Sequence, residues 1–284
     1  MSKPAPRGEM IDLGGRRLHV MRAGPASAGP TVVLEHGAFG CGSDWAVVQA
    51  RLAAKGLASV AYDRAGIGHS DPGPAPRDAA AINADLSALL AALGEAGPFV
   101  LVGHSMGGLM VRRFALAHPE QVLGVVLVDA MTPEVTSRPG GLQAISAFGR
   151  MLDLAAVGAR FGLMRPVSLI SGNLIGLEGA AAVEKRRIHA SAAHAKGAAL
   201  EVASWPASSD QAGASPFAPE LPIAVVTAGD ARKRPWLKKL QVLAANASRA
   251  GYVEHVAGST HASLLGRKFA DPVVRGVEHV LAQG

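Results

Sequence analysis

Short, almost wholly apolar runs recur along the first 130 residues, each separated from the next by a segment of helical length. This alternation limits the fold more tightly than any other feature of the chain. Thr31-Val32-Val33-Leu34, Ala58 to Tyr62, Phe99-Val100-Leu101-Val102 and Val122 to Val128 are apolar at successive positions, the pattern of strands buried on both faces. Between them, Ser43-Asp44 to about Gly56, Ala79 to Leu93 and Met106 to His118 read as helices, with Gly94 and Pro119 ending the last two. Short strands alternating with longer helices describe βαβ units. The expected fold is therefore α/β, a mostly parallel twisted sheet with helices on both faces. Upstream, Glu9 to Arg22 reads as a hairpin around Gly14-Gly15 that adds an antiparallel edge.

After Asp129 the alternation stops. Met131 to about Pro219 holds helix-like stretches, Leu142 to Val157 with Leu142, Ile145, Phe148 and Leu152 on one face, and Ala180 to Val202, with no clear buried strand between them. Alternation resumes with Ile223 to Thr227, a helix from Pro235 to Ala247, a strand from Tyr252 to Ala257 and a final helix from Pro272 to Leu281. The chain of 284 residues thus divides into a core domain of residues 1–130 and 220–284 and an inserted helical cap of residues 131–219. Phe148, Met151, Leu152, Phe161, Leu163, Met164, Leu169, Ile170, Leu174 and Ile175 fit an apolar acyl or aromatic site in the cap. The simpler expectation is that most of them pack the cap onto the sheet.

Apolar residues make up 49% and charged residues 18% of the chain, a globular composition that does not suit disorder. Cys41 is the one cysteine, so no disulfide or cysteine zinc site can form within a chain, which fits a reducing, cytoplasmic setting. Cys41 itself is expected to be a small buried hydrophobe. Met1 to Met10 contain no apolar run of the kind a secretory signal needs. The apolar stretch Pro166 to Leu177 has twelve residues, short of the roughly 20 needed to span a membrane, so stable membrane insertion is not expected. The net charge of +6 raises nucleic acid as a partner, but basic residues lie in scattered pairs and one run, Arg232 to Lys239, and aromatics are only 4%. That leaves little for base stacking, and the run is expected to be a solvated face.

The sharpest motif is Gly103-His104-Ser105-Met106-Gly107-Gly108, set between an apolar strand and a helix. Glycines two residues before and two after Ser105 permit a tight strand-to-helix turn that projects the serine hydroxyl. The same turn places the first helical N–H groups, beginning with Met106, beside whatever the serine attacks.

With this motif, His36-Gly37-Ala38-Phe39-Gly40 after the first parallel strand and Tyr62-Asp63-Arg64-Ala65-Gly66-Ile67-Gly68-His69-Ser70-Asp71 after the next, the chain resembles the α/β-hydrolase fold superfamily, in its esterase-like serine hydrolase branch. The resemblance implies Ser105 as nucleophile. It implies an oxyanion hole of the Met106 N–H and one from Ala38, with Phe39 next in line. It also implies a base in the loop after the last strand, where Gly258-Ser259-Thr260-His261-Ala262 carries His261. The Asp63-Arg64 loop reads as architecture, and His36 and His104 as supports of their turns. His189 and His194 lie five apart on a cap helix, the wrong spacing for a shared metal.

Two aspartates end strands and could orient the base. Asp230 follows the strand-end Gly229 directly, displaced from the family's usual position, where Arg232 stands here. Asp129 ends the earlier strand, where some members, certain haloalkane dehalogenases among them, carry their acid. Asp129 is the favoured acid, with Asp230 the alternative. These parts suit two-step hydrolysis of an ester-like bond in a small apolar substrate, with no cofactor or metal. Carbon–carbon bond hydrolysis, lactone opening, acyl transfer and cofactor-free perhydrolysis need the same triad and stay open. Ser105 excludes epoxide hydrolysis and dehalogenation in their usual form, which need a carboxylate nucleophile. A catalytically silent ligand-binding protein is the reading from another class.

Overall fold

The computed structural model describes residues 6–25, 29–232 and 234–284, without the side chains of Ile170 and Ser171. Residues 1–5 of the Met1–Met10 stretch, residues 26–28 and Lys233 of the basic run lie outside the described residues. Among these, eight strands form one sheet in the order β1-β2-β4-β3-β5-β6-β7-β8. They are β1 (Glu9–Asp12), β2 (Arg17–Ala23), β3 (Thr31–Glu35), β4 (Ser59–Tyr62), β5 (Phe99–His104), β6 (Val122–Val128), β7 (Ile223–Ala228) and β8 (Gly251–Val256). β1 and β2 pair antiparallel, as do β2 and β4, and every other neighbouring pair is parallel.

Why the central strands are apolar at every position follows from the two cores they serve. Val32, Leu34, Val100, Val102, Val126 and Val128 pack on one face with α1 (Ala46–Ala54) and α12 (Asp271–Leu281), the latter through Val273, Val277 and Val280. The intervening Val33, Leu101, Val125 and Leu127 pack on the other face with α2 (Ala79–Ala92) and α3 (Gly107–Ala117), through Leu86, Leu89, Val111 and Phe114. Successive strand side chains point to opposite faces, so a sheet covered on both sides cannot alternate apolar with polar.

Between β6 and β7 lie α4 (Pro133–Thr136), α5 (Gly141–Arg160), α6 (Met164–Ser171), α7 (Gly179–His189), α8 (Ala192–Ala203) and α9 (Trp205–Ala212). α10 (Pro235–Gln241) and α11 (Leu243–Ala247) follow β7. Several local expectations are corrected. The helix expected from Ser43-Asp44 starts later: Gly42–Trp45 form a 3-10 turn, whose Asp44 carboxylate accepts the Cys41 N–H at 3.2 Å, and α1 begins at Ala46. The helix expected over Ala180 to Val202 is broken, because the Ser191 hydroxyl accepts the His194 N–H at 3.4 Å and starts α8 afresh. The helix expected over Pro235 to Ala247 is interrupted at Val242. Of the face drawn for α5, Ile145 and Leu152 are buried but Leu142 is 53% exposed.

The expectation that most of the cap's apolar residues pack onto the sheet also fails. Met151, Phe161, Leu163, Leu169 and Leu174 are 54 to 76% exposed, whereas Leu152 and Ile175 are buried; the Ile170 side chain lies outside the described residues. α5 turns Ile145 and Leu152 inward, toward the cluster that also holds Ala198 and Val202 of α8, which leaves its outer apolar side uncovered. Polar ties add to the apolar contacts that Ile145, Leu152, Ile188 and Val202 make with Ile67, Ile82, Met106 and Leu109. Glu201 of α8 takes Arg64, Lys185 of α7 takes Asp44 at 2.6 Å, and Glu184 of α7 takes Arg7 at 3.0 Å and the Ser43 hydroxyl at 2.6 Å. Among the described residues, no helix is long and apolar enough to cross a membrane.

Candidate active site

Ser105 sits in the turn between β5 and α3 with φ of 54°. That left-handed conformation is strained for a residue with a Cβ and is held here by its surroundings. The Ser105 N–H donates to the Val128 carbonyl at 3.1 Å, and its own carbonyl accepts from Gly108 at 3.0 Å and Met131 at 2.9 Å. The flanking glycines are steric necessities: a Cβ on Gly107 would stand 2.4 Å from the Glu35 carbonyl oxygen, and one on Gly103 would stand 2.6 Å from that of Gly107. Among the described residues, the other non-glycine residues of positive φ are Phe39, Asp129 and Arg234, so three of these four belong to the expected site.

Ser105, His261, Ala38 and Phe39 line one cavity of about 200 Å³, together with His104, Phe148, Leu174, Ile175, Lys185 and His189. His261 follows β8, is half exposed, and its Nδ1 lies 2.7 Å from Asp129 Oδ2. Asp129 Oδ1 accepts from the Ala228 N–H at 3.2 Å and the Gln241 amide at 3.1 Å. Burial of Asp129 opposes its ionisation. The His261 hydrogen bond and charge, with the Ala228 and Gln241 donors, outweigh it and bring the carboxyl to about 2. Asp230, by contrast, is exposed and accepts the Arg232 N–H at 2.7 Å. Of the two sequence candidates, Asp129 is the one that meets the histidine.

Among the described residues, the Ser105 hydroxyl makes no hydrogen bond, and none of the Ala38, Phe39 and Met106 N–H groups meets an acceptor. Helix α3 begins directly behind Met106, so its positive end faces the same place. Catalytic hydrogen bonds without substrate are commonly long, so the open Ser105–His261 approach is compatible with chemistry.

Two supports were not foreseen. His104 does more than support its own turn: its Nε2–H donates to the His261 carbonyl at 3.0 Å, and the two rings lie 4.5 Å apart. Burial, with the nearby His261 charge, pushes His104 down to about 3, so it stays neutral and can hold that role. Arg64, wholly buried, braces the base of the Ala38–Phe39 loop: its Nη1 donates to the His36 carbonyl at 2.7 Å and to Glu35, its Nη2 to the Gly37 carbonyl at 3.2 Å and to Glu201 at 2.7 Å, and its Nε to Glu201 at 2.7 Å. The Asp63–Arg64 loop thereby braces the Ala38–Phe39 segment, a contact beyond its own turn. Only the charge of Arg64 hinted at this, since Glu201 lies 137 residues away.

Phe39 packs between His189 of α7 and His194 of α8, its ring 4.5 Å from the first and 4.7 Å from the second. Burial and the Lys185 charge push these to about 2 and about 3. Cys41 is fully buried behind the loop, its thiol 3.7 Å from the Lys185 ammonium. Among the described residues, no three His, Cys, Asp or Glu side chains are grouped to hold a metal.

The model of the α/β-hydrolase fold family matches residues 30–158. The chain is 42% identical over 115 residues to the lipase LipV of Mycobacterium tuberculosis, covering 39% of this chain and 41% of that one. It spans 18% and 32% of the length of two further curated relatives. The solved structure of a thermophilic esterase from Thermogutta terrifontis superposes with a TM-score of 0.71 at 20% identity, over 97% of this chain and 98% of that one. An enol-lactonase from Burkholderia xenovorans gives a TM-score of 0.67 at 20% identity, over 96% and 100%. With this sheet and this strand-to-helix serine turn, the chain has the α/β-hydrolase fold, and its residues 30–158 match that family.

Proposed function

We propose that the protein is a serine hydrolase that cleaves an ester-like bond of a small, apolar substrate through Ser105, His261 and Asp129. His261 takes the Ser105 proton as the hydroxyl oxygen attacks the carbonyl carbon. The N–H groups of Met106 and Ala38, with Phe39 alongside, receive the developing oxyanion. His261 then protonates the departing alkoxide, and water repeats the sequence on the acyl-enzyme. Asp129 fixes the imidazole tautomer and stabilises the imidazolium. Residues 131–219 act as the cap, since Phe148, Leu174, Ile175, Lys185 and His189 contribute walls to the Ser105 cavity.

The observation that carries this reading is the 2.7 Å pairing of Asp129 with His261, beside a serine and three N–H groups that meet no acceptor among the described residues. A serine, not a carboxylate, at the turn favours acyl transfer over epoxide opening. Stopped-flow hydrolysis of p-nitrophenyl acetate tests it. The expected trace has a burst of about one nitrophenol per chain, absent in Ser105→Ala. Turnover surviving in Ser105→Ala above a tenth of wild type would overturn the proposal.

A further inference from the structure

A second cavity, of about 460 Å³, opens between α4, α5, α9 and α10. Its walls are apolar, with Val135, Ile145, Phe148 and Leu237 prominent, and it shares Phe148 with the Ser105 cavity. Met131, another lining residue, donates its N–H to the Ser105 carbonyl at 2.9 Å. Three features set its chemistry apart. No acidic residue lines it, whereas Arg138 and Arg234 both do. Neither guanidinium has a carboxylate partner among the described residues, and Arg138 lies over the Trp236 ring at 4.1 Å instead. Trp205, 6% exposed, also lines it, and its indole N–H has no acceptor among the described residues. Arg234, moreover, holds φ of 51°, a strained backbone of the kind that persists where surroundings fix it and that gathers at ligand clamps.

We propose that this cavity binds an amphipathic monocarboxylate, its alkyl or aryl tail against Val135, Ile145, Phe148 and Leu237 and its carboxylate paired with Arg138 and Arg234. The apolar walls would take a tail of medium length, and a planar guanidinium is the natural donor to a carboxylate. The carboxylate belongs either to a free ligand or to the far end of a substrate arm that passes Phe148 to reach Ser105. Binding itself stands apart from the ester-hydrolase reading; only the second source rests on it.

Two of the three tryptophans, Trp205 and Trp236, line the cavity, so intrinsic fluorescence reports on it. Ser105→Ala protein is titrated with octanoate and with octanamide. Octanoate should give a saturable change at least about tenfold tighter than the amide, and an added Arg138→Gln/Arg234→Gln pair should bring the two ligands level. Arg138→Lys should keep part of the preference, because the charge survives. Equal affinity for acid and amide, or a preference untouched by the double change, refutes the site. In wild type, octanoate competing with ester turnover assigns the carboxylate to the substrate, and binding without competition assigns it to a separate ligand. A protein that turns over no ester yet discriminates the acid keeps this site and loses only the hydrolase reading.

Discussion

Replacing Asp129 with asparagine separates the two aspartates that the sequence leaves in competition. The Asp129 carboxyl falls from an ordinary 3.8 to about 2 in spite of its burial. That difference corresponds to roughly 2 kcal/mol in favour of the ionised form. Much of it comes from His261, whose Nδ1 it meets at 2.7 Å. The same interaction is available to the imidazolium formed in the transition state, so its loss alone predicts about a thirtyfold fall in turnover. An asparagine amide facing Nδ1 also favours the wrong tautomer, which brings the expected loss to about 10³-fold in kcat, with KM changed less than about threefold.

Stability should move in step with pH. An unfolded carboxyl titrates at its ordinary value and the folded one near 2, so the stabilisation is complete above about pH 5 and disappears as pH falls through the folded value. Asp129→Asn should therefore be roughly 2 kcal/mol less stable than wild type in urea at pH 7, with the gap closing below about pH 3. Asp230→Asn, at an exposed turn, should leave both quantities within twofold. The reasoning is refuted if Asp129→Asn keeps more than a third of wild-type kcat, or if Asp230→Asn is the more damaging change.

Arg64→Met should cost about 3 to 5 kcal/mol in urea unfolding, since Glu35 and Glu201 would then share a buried site without their cation; a loss under 1 kcal/mol contradicts the arrangement. The imidazoles of His36, His104, His189 and His194 are all pushed below their ordinary range by burial. The unfolded chain takes up protons below about pH 6.5 that the folded chain does not, so stability should fall with acidification by up to about 1.4 kcal/mol per pH unit for each. A flat urea midpoint between pH 7 and 5 contradicts this. Cys41, its thiol pushed well up by burial although Lys185 pulls the other way, should resist iodoacetamide at pH 8 in native protein and react fully once unfolded. Rapid native alkylation would show that the region behind the oxyanion loop opens.

The sheet was legible because a strand covered on both faces must be apolar at every position, and Thr31–Leu34 and Phe99–Val102 have no other comfortable place. The serine turn was legible because its requirements are local, a glycine on each side within two residues. The acid was not, since Asp129 and Asp230 both end strands and only the path of the chain over 132 residues brings one of them to His261. Arg64 shows the same limit from the other side. Its local sequence marks a loop, but its work on the His36 and Gly37 carbonyls depends on Glu201 arriving from α8. The helices of residues 131–219 were least legible. Met151 reads as core by composition, yet α5 has a second apolar side, and packing its inner side against α8 leaves Met151 in solvent, while Phe161 and Leu163 lie exposed in the turn between α5 and α6. The break at Ser191 is a competition between a helical backbone and a short side chain that can cap, which apolar periodicity does not register.

The most direct measurement is reaction of the purified protein with a fluorophosphonate probe, followed by mass-spectrometric mapping of the adduct and by ester turnover on the same sample. The account predicts a single adduct on the Ser105 oxygen, parallel loss of turnover as labelling proceeds, and neither labelling nor turnover in Ser105→Ala. An unlabelled Ser105, or turnover that persists in the fully labelled protein, would contradict it.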